Sequence, residues 1–79
     1  MPNNAGITLS ARNRAQLAST RRAFMWTQAD LADATGISVP QISHVETGAK
    51  NPSLATLEAI CGAMGLSVTV NTTVRITKR

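Results

Sequence analysis

Gln41 and His44 stand three residues apart in a run, Val39 to Thr47, that mixes apolar anchors with groups able to hydrogen-bond. If the run is helical, Ile42 and Val45 share the face that holds it to a domain. Val39, Pro40, Gln41, Ser43, His44 and Thr47 then lie mostly on the other face. A glutamine amide can make paired hydrogen bonds to adenine, an imidazole can donate to a guanine acceptor, and valine or proline can pack on a thymine methyl. Such a face suits the major groove of duplex DNA. An ordinary amphipathic surface helix has the same spacing, so spacing alone leaves both readings open.

Catalysis has no comparable set of residues. His44 is the single histidine and Cys61 the single cysteine, which leaves no cysteine-rich zinc site, no catalytic pair and no intrachain disulfide. Asp30, Asp33, Glu46 and Glu58 fall on helix surfaces or at an ion pair, and there is no glycine-rich phosphate loop. The chain therefore reads as a non-enzyme without cofactor or metal, and Cys61, on an apolar helical stripe, as a small hydrophobe. Eight Lys and Arg against four Asp and Glu leave a charge of +4, which favours a polyanionic partner without naming one. Polar residues break every long apolar stretch, so no membrane span is expected. Met1 to Leu9 lacks the pattern of an export signal, which points to the cytoplasm.

The elements that must position the run follow from caps and periodicity. Residues 1–9 read as a flexible arm, with an Ile7 and Leu9 alternation too short to name as a strand. Ser10 can cap a first helix running to about Phe24, with Leu17, Ala18, Arg21 and Phe24 on neighbouring turns. Thr27 to Asp30 reads as a capping box opening a second helix that Gly36 ends, with Leu31, Ala32 and Thr35 inward and Trp26 placed to staple onto Leu31. Ser38 to Gln41 is a second capping box, Pro40 fits the first turn, and Gly48 stops the third helix. Pro52 and Ser53 open a fourth helix through Met64, with Leu54, Leu57, Ile60, Cys61 and Met64 at helical spacing and Gly65 as the stop. From Leu66 the period becomes two: Leu66, Val68, Val70, Thr72, Val74 and Ile76 alternate with polar residues, a strand signal. Residues 10–65 thus form the helical domain, and 66–79 a strand with a basic tail.

Two short helices around Gly36 and Ile37 have the spacing of a helix-turn-helix. The chain resembles the lambda-repressor-like, xenobiotic-response-element type of helix-turn-helix regulator. The likeness runs through Arg21, Trp26-Thr27-Gln28, Leu31-Ala32, Gly36-Ile37-Ser38, Ile42-Ser43, Glu46, Gly48, Asn51-Pro52-Ser53, Leu57 and Ala63 to Leu66. It implies a mainly α fold of four or five helices that binds duplex DNA as a transcriptional repressor, associated with the nucleoid when bound. It implies that Val39, Pro40, Gln41, Ser43 and His44 meet base edges, and that Thr27, Gln28, Ser38, Thr47, Lys50 and Asn51 meet the phosphate backbone. It also implies a structural ion pair between Arg21 and Glu46. Val39 and Pro40 stand where relatives often carry polar side chains, so readout leans on shape and apolar contact. Arg12, Arg14 and Arg22 read as a solvated helix face.

A lone strand needs a partner for its backbone. Folding the tail on itself with Asn71 and Thr72 as the turn sets Val70 against Thr73 and Val68 against Arg75, which mixes apolar and polar faces. Pairing with Ile7 to Leu9 covers few rungs. Antiparallel pairing with the same strand of a second chain keeps the alternation, so the expectation is a strand shared across a homodimer through Leu66, Val68, Val70, Thr72 and Val74. That layout resembles the HipB-type antitoxins of bacteria, which implies a kinase toxin of the HipA type as partner and repression of the chain's own promoter. A free-standing regulator without a toxin is the alternative.

Overall fold

The computed structural model describes residues 6–79; part of the expected arm, residues 1–5, lies outside the described residues. Four helices are followed by two strands: α1 (Ala11–Ala23), α2 (Gln28–Thr35), α3 (Val39–Thr47), α4 (Leu54–Ala63), β1 (Leu66–Val70) and β2 (Val74–Lys78). Each helix starts where a side-chain oxygen can take an orphan amide hydrogen. Ser10, Thr27, Ser38 and Ser53 are the N-caps, and those of α2 and α3 are reciprocal capping boxes closed by Asp30 and Gln41. Gly36 and Gly48 end α2 and α3 in the left-handed conformation, with φ of 75° and 83°.

The end of α1 uses the same device with a less suitable residue. Trp26 N donates to Arg21 O at 3.1 Å and Met25 N to Arg22 O at 2.8 Å, a Schellman closure that places Met25 at φ 62°. Met25 is 88% exposed, so its side chain gains little there. Trp26 is half-buried against the core, edge-on to Phe24 at 5.3 Å between ring centres.

Leu17, Leu31, Ile42, Val45, Leu57, Ile60, Cys61, Met64, Leu66 and Ile76 form one buried cluster, and Leu9 joins it. Ile7 N donates to Pro52 O at 2.6 Å, so residues 6–9 lie against the turn before α4. Phe24, which caps the end of α1, and Leu54, the first residue of α4, both expected on inward stripes, are 45% and 42% exposed at those helix ends.

The tail corrects the expectation of a single strand with its partner in another chain. It folds on itself as an antiparallel hairpin, with Leu66 opposite Lys78, Val68 opposite Ile76 and Val70 opposite Val74. The turn holds Asn71, Thr72 and Thr73, one residue more than the turn weighed from the sequence. In a strand, a shift of one residue moves every side chain to the other face. The longer turn therefore sets valine against valine and restores an apolar face, and Thr72, expected in a pairing strand, sits exposed in the turn.

The two edges of this hairpin differ. Asn71 N donates to Thr73 O and Arg79 N to Gly65 O, which fixes the odd-numbered residues as the hydrogen-bonded pairs. The even-numbered residues therefore turn their backbone groups outward. On β2, Val74 O accepts from Asn13 Nδ2 of α1 at 3.1 Å and Ile76 O from Gln16 Nε2 at 2.9 Å. On β1, the outward groups of Val68 and Val70 have no such partner among the described residues. Met25→Gly removes a left-handed Cβ penalty of about 1–2 kcal/mol and adds roughly 0.5–1 kcal/mol of unfolded-chain entropy. A net gain of about 0.5–1 kcal/mol in urea unfolding is expected, and a loss would contradict the assigned conformation.

Candidate nucleic-acid interface

The region rests on an ion pair between α1 and the last turn of α3. Arg21 Nε donates to Glu46 Oε2 at 2.8 Å and Arg21 Nη2 to Glu46 Oε1 at 3.1 Å, a fork-to-fork contact whose side chains are 11% and 9% exposed. Arg21 Nη1 donates to Trp26 O at 2.7 Å, and Gln28 Nε2 to Glu46 Oε1 at 3.1 Å. One carboxylate thus joins α1, the start of α2 and the end of α3. Burial alone would push the Glu46 carboxyl up. The hydrogen bonds from Arg21 and Gln28, with the charges of Arg21 and Arg22, outweigh it and hold the group below the ordinary glutamate value.

The turn after α3 lies under a residue that the sequence placed in solvent. Arg14 Nη1 donates to Leu9 O at 2.8 Å, and its guanidinium lies over Gly48, where a Cβ would come within 2.9 Å of Arg14 Nε. Gly48 is thus favoured by its φ, and a larger residue there would also have to displace the Arg14 side chain. Asn51 Nδ2 donates to Thr8 Oγ1 at 3.3 Å, and Lys50 N to His44 O at 3.4 Å. These contacts tie residues 6–9 and α1 to the loop between α3 and α4. The Arg14–Gly48 and Asn51–Thr8 contacts join positions more than thirty residues apart, and no local motif marks them.

Of the base-edge candidates, Val39, Pro40 and Gln41 are exposed at the start of α3, and Ser43 and His44 are half-buried. Gln41 and His44 share a groove of about 260 Å³ with Lys50 and Asn51, walled by Val45, Pro52, Ser53 and Thr56. Of the backbone candidates, Lys50 and Thr47 are exposed. Gln28, at the first position of α2 beside its positive end, has one amide hydrogen on Glu46, which leaves the other without a partner among the described residues. Ser38 has both its donors on Gln41: its N–H at 3.2 Å and its hydroxyl at 3.0 Å from Oε1. The Thr27 hydroxyl oxygen accepts from Asp30 N at 3.1 Å, which leaves its hydrogen for another acceptor.

Cys61 is buried, its thiol pushed up to about 11 by desolvation against the opposing charge of Arg79, so it is an inert hydrophobe at neutral pH. No group of three His, Cys, Asp or Glu among the described residues could hold a metal ion. Among the described residues, no helix is long and apolar enough to cross a membrane.

Two capped helices around a tight glycine turn, the second with an uncommitted outer face, meet a family pattern: the helix-turn-helix family matches residues 17–71. The chain belongs to the helix-turn-helix family. This helix-turn-helix protein is 36% identical over 53 residues to the immunity repressor protein of Bacillus phage phi105, covering 67% of the chain and 37% of that protein. It is 46% identical over 39 residues to an HTH-type transcriptional regulator of Deinococcus deserti, covering 49% of the chain and 30% of the relative. An uncharacterized HTH-type transcriptional regulator of Mycobacterium bovis is 36% identical over 52 residues, covering 66% of the chain and 20% of the relative. The chain thus spans well under half the length of these curated relatives. No solved structure gives a significant match.

Removing one member of a buried pair leaves the other charge uncompensated, so Arg21→Met is expected to cost about 3 kcal/mol at neutral pH. The pair's contribution is present above the ordinary glutamate value of about 4.3 and is lost as pH falls through the lower folded value. Urea unfolding of the wild type and Glu46→Gln at pH 7 and pH 3 measures this. The stability difference should shrink at pH 3, and a gap that widens in acid would refute the assignment.

Proposed function

We propose that this protein is a sequence-specific DNA-binding transcriptional repressor that acts as a dimer on operator DNA. The observation that carries the reading is the exposed face of α3, Val39 to Thr47, held to the domain by Ile42, Val45 and the Arg21–Glu46 pair while its outer side chains stay free of the core. In this reading Val39, Pro40, Gln41, Ser43 and His44 meet base edges. Gln28, Thr27, Thr47, Lys50 and Asn51 take phosphates, and Ser38 serves as the cap. The regulator and repressor names of the relatives support the same role. None of the relatives above is named as an antitoxin, and the hairpin closes on itself where the HipB-like layout expected an exchanged strand. A free-standing regulator is therefore the better supported of the two readings, and a HipA-type toxin partner has no observation in its favour.

The dimer is supported by the uneven hairpin. β2 carries Arg75 and Lys78 and has the outward carbonyls of Val74 and Ile76 taken by α1, whereas β1, Leu-Ser-Val-Thr-Val, has no charge, no proline and an open edge. Natural sheets guard such edges or pair them. A twofold axis at Val68 makes β1 complementary to itself, pairing Val68 with its own copy and Leu66 with Val70 in both directions. Two copies then present two α3 helices to half-sites about 34 Å apart.

Two measurements test this. Binding of the purified protein to the DNA upstream of its own gene should weaken steeply with salt, because two +4 chains release counterions from the duplex. Lys50→Ala should weaken binding to every sequence alike. Flat salt dependence, or equal affinity for random duplex, would sink the DNA reading. Val68→Pro deletes an outward amide on β1 without touching a hairpin hydrogen bond. It should yield a folded monomer by sedimentation with weaker operator binding, and a variant that stays dimeric would move the interface elsewhere.

A further inference from the structure

Gln41 does two jobs at once, and the first limits the second. It is the N3 residue of the α3 capping box: its Oε1 accepts from Ser38 N at 3.2 Å and from Ser38 Oγ at 3.0 Å. The atom can be assigned as the oxygen, because the Ser38 amide is only ever a donor. In return Ser38 Oγ accepts from Gln41 N at 3.3 Å. Both acceptor sites of the amide oxygen are thus occupied, and what Gln41 still offers outward is its NH₂ group, two donors and no acceptor. A paired contact to adenine needs the oxygen for the N6 amino group as well as the nitrogen for N7. Gln41 can make that contact only by giving up the cap of the helix that carries it.

We propose that Gln41 reads the major groove as a donor alone, and that the base it selects is guanine. Resting on the DNA-binding reading above, this deepens it by naming the base. Guanine presents two adjacent acceptors, O6 and N7, to an NH₂ group that keeps its oxygen on Ser38. Adenine sets its own amino donor against one of the two hydrogens, thymine offers one acceptor beside a methyl group, and cytosine offers only a donor. His44, three residues on in the same groove, is free of side-chain hydrogen bonds among the described residues and adds a second donor along the strand. Val39 and Pro40, ahead of Gln41 on the exposed first turn, supply no polar group to compete for the same base. The cap thus acts as a specificity device, because it removes from a versatile side chain the half that recognises adenine.

Gln41→Glu separates the two jobs. A glutamate at N3 keeps an acceptor on the Ser38 amide, so the cap survives, and it replaces the outward donors by an acceptor that suits the cytosine amino group. Bound duplexes are selected from a random-sequence library with the wild type and with Gln41→Glu, and the melting temperature of each protein is measured alongside. The expected result is a wild-type motif with guanine at one position of each half-site, cytosine there for the variant, other positions unchanged and a melting temperature within a few degrees. Replacing that guanine by adenine should weaken wild-type binding roughly ten-fold or more. Adenine at the position that responds to the variant overturns the proposal, as does a motif that the variant leaves unchanged. Failure of both proteins to enrich any sequence overturns the DNA-binding reading itself, an outcome distinct from a wrong base at a real site.

Discussion

The pair of Arg21 and Glu46 is the junction through which the rest of the molecule is aligned. Both oxygens of one carboxylate meet two nitrogens of one guanidinium, the third nitrogen closes the turn at Trp26, and Gln28 completes the set. Desolvating two charges is costly, so the pair's value lies less in net stability than in geometry. An alternative packing of α1, α2 and α3 would have to bury one of these charges alone. With three short helices and few aromatic residues, apolar packing tolerates small rotations. A bidentate pair does not, and it therefore sets the angle at which the start of α2 and the face of α3 are presented together.

Around that junction the helices are defined by their ends. α2 and α3 have 8 and 9 residues, lengths at which a helix has little stability of its own in water. Reciprocal boxes at their starts and left-handed glycines at their ends satisfy the amide and carbonyl groups that two turns of helix leave open. A box that uses a side chain on the working face also fixes what that side chain can offer. Structural and recognition chemistry share one glutamine in α3, which couples the stability of the helix to the pattern it presents.

The hairpin shows how one residue of loop length decides an architecture. Its alternation fits pairing with a second chain or with itself, and only the register separates the two. Three residues in the turn align Val70 with Val74 and Val68 with Ile76, and α1 then covers the far edge through Asn13 and Gln16. The result is a sheet with one edge held to α1 through two carbonyls and one open edge, built from a segment whose composition announces neither.

The sequence by itself determined the four helices, their caps and the outer face of α3, because these follow from interactions within four residues: a serine oxygen and an amide three positions on, a glycine where φ must be positive, apolar side chains at helical spacing. It also determined the buried cluster apart from Leu9, read as part of a flexible arm, and the helix-end residues Phe24 and Leu54, since periodicity reports which face of a helix is inward but not what packs against its ends. The Arg21–Glu46 pair was legible only through a family likeness. Tertiary structure alone decided the contacts of Arg14 with Gly48, of Asn51 with Thr8 and of α1 with the β2 edge, which join residues far apart in the chain. It decided as well that Gln41 and Ser38 spend their groups on each other. The sequence marks both as box residues, but only the positions of their atoms show which hydrogen-bonding groups remain.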